Sequence, residues 1–211
     1  EAVGRYLYGT WENFYSPHLL KDGDLAADIL LRKIKQGRRI RIVGDYDIDG
    51  VCSTYLLFQA LNRLGAWVDY EIPDRVKDGY GINEQIVQQA FEDKVDTILT
   101  CDNGISAVEQ METAKSLGMT VIITDHHEIV KAEEREVLPR ADAVVNPKQS
   151  DCAYPWKEIC GGMVAYKLIQ ILYEKAGVSI EEWKDMMEFA AIATAIIMLS
   201  TPFFFISSSP F

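Results

Sequence analysis

Five short runs rich in β-branched and apolar residues punctuate this chain: Arg39–Val43, residues 67–72, Thr97–Cys101, Thr120–Thr124 and Ala143–Val145. Between them, apolar residues recur at helical spacing, over residues 24–35, 51–64, 84–91 and 107–117, with a further helical pattern at 163–172 after the last run. Hairpin signals are scarce, so successive strands must be joined by crossovers rather than tight turns. That alternation predicts an α/β fold, a parallel sheet of about five strands with helices on both faces and right-handed crossovers. Two segments interrupt the pattern: residues 131–140 are charged and expected to be exposed, and residues 149–158 read as a polar loop. No internal repeat is visible. Residues 1–21 carry Tyr6, Tyr8, Trp11, Phe14, Tyr15 and Pro17 and read as an aromatic arm. Residues 22–194 read as one domain, and 195–211 as an atypical apolar tail.

The 211 residues suffice for one sizeable core, and 48% hydrophobic with 25% charged residues excludes a disordered or collagen-like chain. Cys52, Cys101, Cys152 and Cys160 form no C-x-x-C pair, and each lies in or beside an apolar run, so inert thiols in a reducing cytoplasm are expected. The N-terminus has no signal-peptide pattern. A formal net charge of −11 argues against a protein that grips nucleic acid through a broad basic surface. It does not argue against an enzyme that approaches phosphates through bound cations.

The chemistry-bearing residues sit where strands end. Asp45-Tyr46-Asp47-Ile48-Asp49-Gly50 follows the first run and places three carboxylates at alternate positions, projecting to one side of an extended segment. Three like charges so close would raise one another's pKa, so the arrangement makes sense around divalent cations. Asp102 follows the third run, and Asp125-His126-His127 the fourth; the chain has only three histidines, two of them here. In an open parallel sheet these strand ends converge on one crevice. Mixed carboxylate and imidazole donors suit Mn²⁺ better than Mg²⁺, and two ions sharing a carboxylate would serve phosphoester hydrolysis.

These residues resemble the successive motifs of DHH phosphoesterases: Val43-Gly44-Asp45-Tyr46-Asp47-Ile48-Asp49-Gly50, Asp102-Asn103-Gly104 and Asp125-His126-His127, in that order. Ile72-Pro73-Asp74-Arg75 with Asp78-Gly79-Tyr80-Gly81, and Val145-Asn146-Pro147, are similar to the family's bacterial single-strand DNA exonucleases, and the resemblance covers roughly residues 5–194. It implies a metal-dependent phosphodiesterase that degrades single-stranded DNA from the 5′ end, in repair and recombination. Asp47, Asp49, Asp102 and His126 would ligate Mn²⁺ or Mg²⁺, with Asp102 as the bridge. His127 would contact the scissile phosphate or steady the leaving group, and Asp45 and Asp125 would be near ligands or orient the histidines. Arg75 is a candidate phosphate contact, against a surface salt bridge, and Lys77 a weaker one. The amides of Gly161 and Gly162, opening a helical pattern, would face a phosphate or simply form a tight turn. A single-strand-binding protein or helicase would be the partner.

One departure stands out. The family resemblance implies a further aspartate just after a helix ending in Ala-Thr, but here the chain reads Ala193-Thr194-Ala195-Ile196-Ile197-Met198-Leu199, with no acid from Phe189 to Phe211. Two other readings therefore stay open: a DHH-like scaffold that binds without turnover, and a hydrolase of short oligonucleotides or cyclic dinucleotides. The uncharged run at 189–206 nears the length of a membrane span, but Pro202 interrupts it and no basic flank follows, so none is expected.

Overall fold

In the computed structural model, which describes residues 14–74, 81–133 and 135–200, the five runs form one parallel sheet. Its strands are β1 (Arg39–Val43), β2 (Trp67–Glu71), β3 (Thr97–Cys101), β4 (Thr120–Thr124) and, after a small hairpin of β5 (Lys131–Ala132) and β6 (Arg135–Glu136), β7 (Ala143–Val145). The order is β2-β1-β3-β4-β7, every neighbour parallel. The chain thus runs outward from β1 to β2, then returns to lay β3 on the other side of β1. The reversal opens a crevice at the carboxyl ends of β1 and β3, the usual place for a ligand site in such a sheet.

Alternate residues of each strand feed two separate cores. Ile40, Ile42, Leu99, Cys101, Ile122, Ala143 and Val145 pack under α1 (Gly23–Lys35), α2 (Ile48–Arg63), α5 (Gly161–Ala176) and α6 (Met187–Ser200). Val43, Ile98, Val121, Ile123 and Val144 face the other way, under α3 (Glu84–Glu92) and α4 (Val108–Ser116). Burial of both faces is why the strands read as nearly continuous apolar runs. At the edge, Arg41 is almost fully buried and grips Asp69 through Nε and Nη2 (both 2.9 Å), while also pairing with Asp93. Burial alone would raise the Asp69 carboxyl, but the Arg41 and Arg39 guanidiniums hold it below the usual range.

Two segments depart from expectation, and a third is described only in part. The charged stretch 131–140 contains the antiparallel pairing of β5 with β6. Residues 195–200, expected to belong to a separate tail, continue α6, which runs without a break through Thr194. Of the aromatic arm, only Phe14 onward lies within the described residues, and there the chain turns once at Pro17–Leu19 and packs on α5. Among the described residues no helix is long and apolar enough to cross a membrane.

The arm is held by an unusual group. Lys167 of α5 is 1% exposed; its Nζ donates to the Tyr15 carbonyl at 2.9 Å and lies 5.4 Å from the centre of the Phe14 ring. Burial lowers its pKa to about 8, only partly countered by Glu174. A lysine with a folded pKa below its unfolded value costs stability while protonated, so the fold should gain stability as pH rises from about 8 towards the ordinary lysine value. Lys167→Met should stabilise the chain at pH 7 by about 1–2 kcal/mol and remove that rise, read from denaturant melts at pH 7–10.

Candidate metal centre

Each functional side chain is delivered by a strand end. After β1 the backbone leaves the sheet through Asp45, whose side chain is buried, and Asp47 caps α2, accepting from the Gly50 amide at 2.9 Å. Asp49 lies in the first turn of α2 and is 2% exposed. After β3, Asp102 takes φ +60°, a left-handed conformation that costs a non-glycine residue energy and turns its carboxylate back over the sheet. Asn103 pins that turn, donating to the carbonyls of Val43 (3.0 Å) and Cys101 (2.9 Å), so β1 and β3 are tied at the crevice floor. After β4, Asp125 is buried and accepts from the amides of Ile105 (2.9 Å), His126 (2.7 Å) and His127 (3.1 Å) and from His127 Nδ1 (2.7 Å). Asn146, after β7, donates to the His127 carbonyl at 3.0 Å and steadies the same loop.

Two donor sets form, and they share one residue. Atoms of Asp102, His126 and His127 all lie within 4.8 Å of one another, and so do atoms of Asp45, Asp47 and Asp102. His126 Nε2 stands 3.1 Å from Asp102 Oδ1 and 3.5 Å from Asp49 Oδ2. The electrostatics match a site built for cations. Burial, then the charges of Asp49 and Asp47, push Asp102 up to about 10. Asp45 is also raised, by burial and by Asp47, and its Oδ1 is buried with no hydrogen-bond partner among the described residues. Asp125 is different. Burial alone would raise it, but His127 and the amides around it hold its carboxyl below the usual range, and His127 in turn is raised by that carboxylate.

The residues expected from sequence thus meet from three strand ends, with differences of detail. Asp49 is gathered into the crevice, but both its oxygens accept from α5: Oδ2 from the Gly161 amide and Oδ1 from the Gly162 amide, each at 2.7 Å. Those two amides, expected either to face a phosphate or to form a tight turn, open α5 and donate to Asp49. Arg75 and Lys77 lie outside the described residues. Where a family aspartate was expected, just after Ala193-Thr194, α6 continues through residues 195–199 and Ile197 packs against Cys52, Cys160 and Ala193. Asn103 and Asn146 belong to the motifs that carry the resemblance but have no role assigned from sequence; each lies one residue beyond a strand or a site aspartate, and only their contacts show the bracing.

The DHH family N-terminal domain model matches residues 39–196. The chain belongs to the DHH family. The single-stranded-DNA-specific exonuclease RecJ of Bacillus subtilis (strain 168) is 41% identical over 194 residues, which is 92% of this chain and 23% of that protein. A crystal structure of exonuclease RecJ bound to manganese superposes with a TM-score of 0.74 at 34% identity, covering 83% of this chain and 43% of that one. RecJ of Thermus thermophilus in complex with Mn²⁺ gives 0.69 at 32% identity, over 83% of this chain and 24% of that one. This DHH chain therefore spans about a quarter of the length of the curated relative it matches. Its donor chemistry fits divalent cations of the kind those relatives hold: carboxylates with imidazoles, a shared aspartate and an orphaned buried carboxylate oxygen.

Proposed function

We propose that this chain is the catalytic DHH domain of a longer, cytoplasmic, metal-dependent exonuclease that removes mononucleotides from the 5′ end of single-stranded DNA. The observation that carries the reading is the meeting of two donor sets on Asp102, the arrangement a two-ion phosphodiesterase needs. Asp102, His126 and His127 would hold one Mn²⁺ or Mg²⁺ and Asp45, Asp47 and Asp102 the other, with Asp49 buried beside His126. When bound, the ions supply Lewis acidity towards a phosphodiester and its attacking water.

The chain's own groups do the rest. Asp102, strained and buried, fixes the separation of the two donor sets. Asp125 takes a hydrogen bond from His127 Nδ1, so Nε2 is the ring nitrogen that would meet the ion. A polar recess of about 190 Å³, lined by Gly81, Asn103, Gly104, Ser106 and Gln110, adjoins the crevice and suits a sugar-phosphate unit. With a net charge of −11, strand grip would come from the remainder of a longer protein, or from a single-strand-binding protein or helicase. The absence of any acid at 189–211 favours a second reading, a domain that binds without turnover.

Release of mononucleotides from 5′-labelled single-stranded DNA in Mn²⁺, compared with duplex and with short oligonucleotides, tests the proposal. The expected result is release from the single strand that EDTA abolishes and Asp102→Ala removes. Release unchanged by Asp102→Ala would sink the mechanism, and Mn²⁺ binding without any release would favour the non-catalytic reading.

A further inference from the structure

The wall of the crevice formed by α5 and α6 contributes no acid or imidazole. Cys160 precedes α5 without a side-chain cap, and the helix opens on two glycines, each of which costs about 1 kcal/mol relative to alanine within a helix. Helix propensity therefore does not account for them, and their surroundings do. Asp49, from another helix, closes the α5 amino end with both carboxylate oxygens, one on each successive amide at 2.7 Å. On the same turn, a β-carbon built on Gly161 would lie 2.5 Å from Asp102 Oδ1 and 2.8 Å from Asp102 Cβ, closer than real β-carbons come. One built on Gly162 would lie 2.8 Å from the β-carbon of Ala193 and 3.2 Å from Asp49 Oδ1.

We propose that Gly161-Gly162 is a positioning template for the metal centre rather than a phosphate site, an inference that rests on the two-ion reading above. The two amides fix the Asp49 carboxylate, and the bare Cα of Gly161 sets how closely Asp102 approaches it. Ala193 backs Gly162 from α6 and keeps the turn seated. Both amides are engaged by Asp49, so a substrate phosphate has to be met elsewhere. The partial positive charge at the α5 amino end also lies against carboxylates that would otherwise only repel each other. The wall that lacks the expected family aspartate thus acts on the site through its backbone.

The test uses the full chain as wild type, Gly161→Ala, Gly162→Ala and the double variant Gly162→Ala with Ala193→Gly. Circular dichroism reads the fold, Mn²⁺ titration calorimetry reads stoichiometry and affinity, and low-temperature electron paramagnetic resonance separates a spin-coupled pair from an isolated ion. The wild type is expected to bind two coupled ions. Gly161→Ala should keep native helix content yet bind the second ion about 10–100-fold more weakly, with an isolated-ion signal. Gly162→Ala should lose part of the coupling, and Ala193→Gly should restore it by removing the atom the new methyl meets. Wild-type stoichiometry and coupling in Gly161→Ala would overturn the template while leaving the two-ion reading intact. A wild type that binds no Mn²⁺ would overturn both. If Gly161→Ala does not fold, the Gly162 pair decides: rescue supports the template, and an unaffected Gly162→Ala or a loss without rescue overturns it.

Discussion

Replacing Asp102 with asparagine should abolish metal-dependent hydrolysis while leaving the metal-free fold as stable as before, or more so. Asp102 belongs to both donor sets, so its loss removes a ligand from two ions at once. Metal catalysis contributes several kcal/mol of transition-state stabilisation, and at about 1.4 kcal/mol per factor of ten a fall of roughly 10³-fold or more is expected. The stability half of the result follows from electrostatics. Asp102 is 1% exposed, and burial together with Asp49 and Asp47 raises its pKa to about 10. A carboxyl whose folded pKa lies above its unfolded value contributes stability at acid pH and loses it as pH rises, so near neutrality the metal-free fold must hold a proton that the unfolded chain has released, and that is a burden. Asparagine keeps the shape and is neutral without that proton. In EDTA, Asp102→Asn should melt at the wild-type temperature or about 2–4 °C above it, a gain near 1 kcal/mol for a domain this size. The melting gain that Mn²⁺ confers on the wild type should vanish in the variant. A clear fall in the metal-free melting temperature would show that the Asp102 carboxylate supports the fold, contrary to a site arranged around cations.

Such a burden also explains why this part of the molecule is legible in the sequence. Strand periodicity and the acids at strand ends are consequences of the same topology: in a parallel sheet every carboxyl end opens on one edge, so residues far apart in sequence become neighbours. The five strands, and helices 48–63, 84–92 and 108–116, accordingly fall within a few residues of where spacing puts them. What periodicity cannot reach is structure held by other forces. The β5-β6 hairpin sits in a charged stretch with only two residues per strand, too short to show alternation. The helix α6 is apolar on all sides beyond Glu188, so it carries no stripe to mark its end, and its last residues read as a foreign tail. The Gly161-Gly162 amides were visible as a helix start, but a sequence does not say which anion an amide meets. Here Asp49, 112 positions away from Gly161, takes both.

Asp125 should prove as sensitive as a ligand although it lies in neither donor set. It is 1% exposed, and its two oxygens accept three backbone amides and His127 Nδ1. Asp125→Ala leaves those donors without their acceptor and should cost about 3 kcal/mol of stability. Asp125→Asn is the sharper probe, because it keeps the volume and removes the charge. The amide oxygen can take the place of Oδ1, which accepts from His127 Nδ1 and two amides, but the NH2 group then meets the Ile105 amide, donor against donor, and the carboxylate charge that raises the His127 ring is gone. Mn²⁺ affinity and turnover should then fall about 10–100-fold. In the metal-free chain the sign of the pH effect is set by the pair itself. The stability due to Asp125 is present above its unfolded pKa and fades as pH falls through its lowered folded value, and that due to His127 is present below its unfolded pKa and fades as pH rises through its raised one. The gap in melting temperature between wild type and Asp125→Asn should therefore be widest in mildly acidic buffer and narrow on either side, measured in EDTA from pH 3 to 9. A gap that does not vary with pH would mean that the carboxylate serves the backbone amides alone, leaving the orientation of His127 to something else.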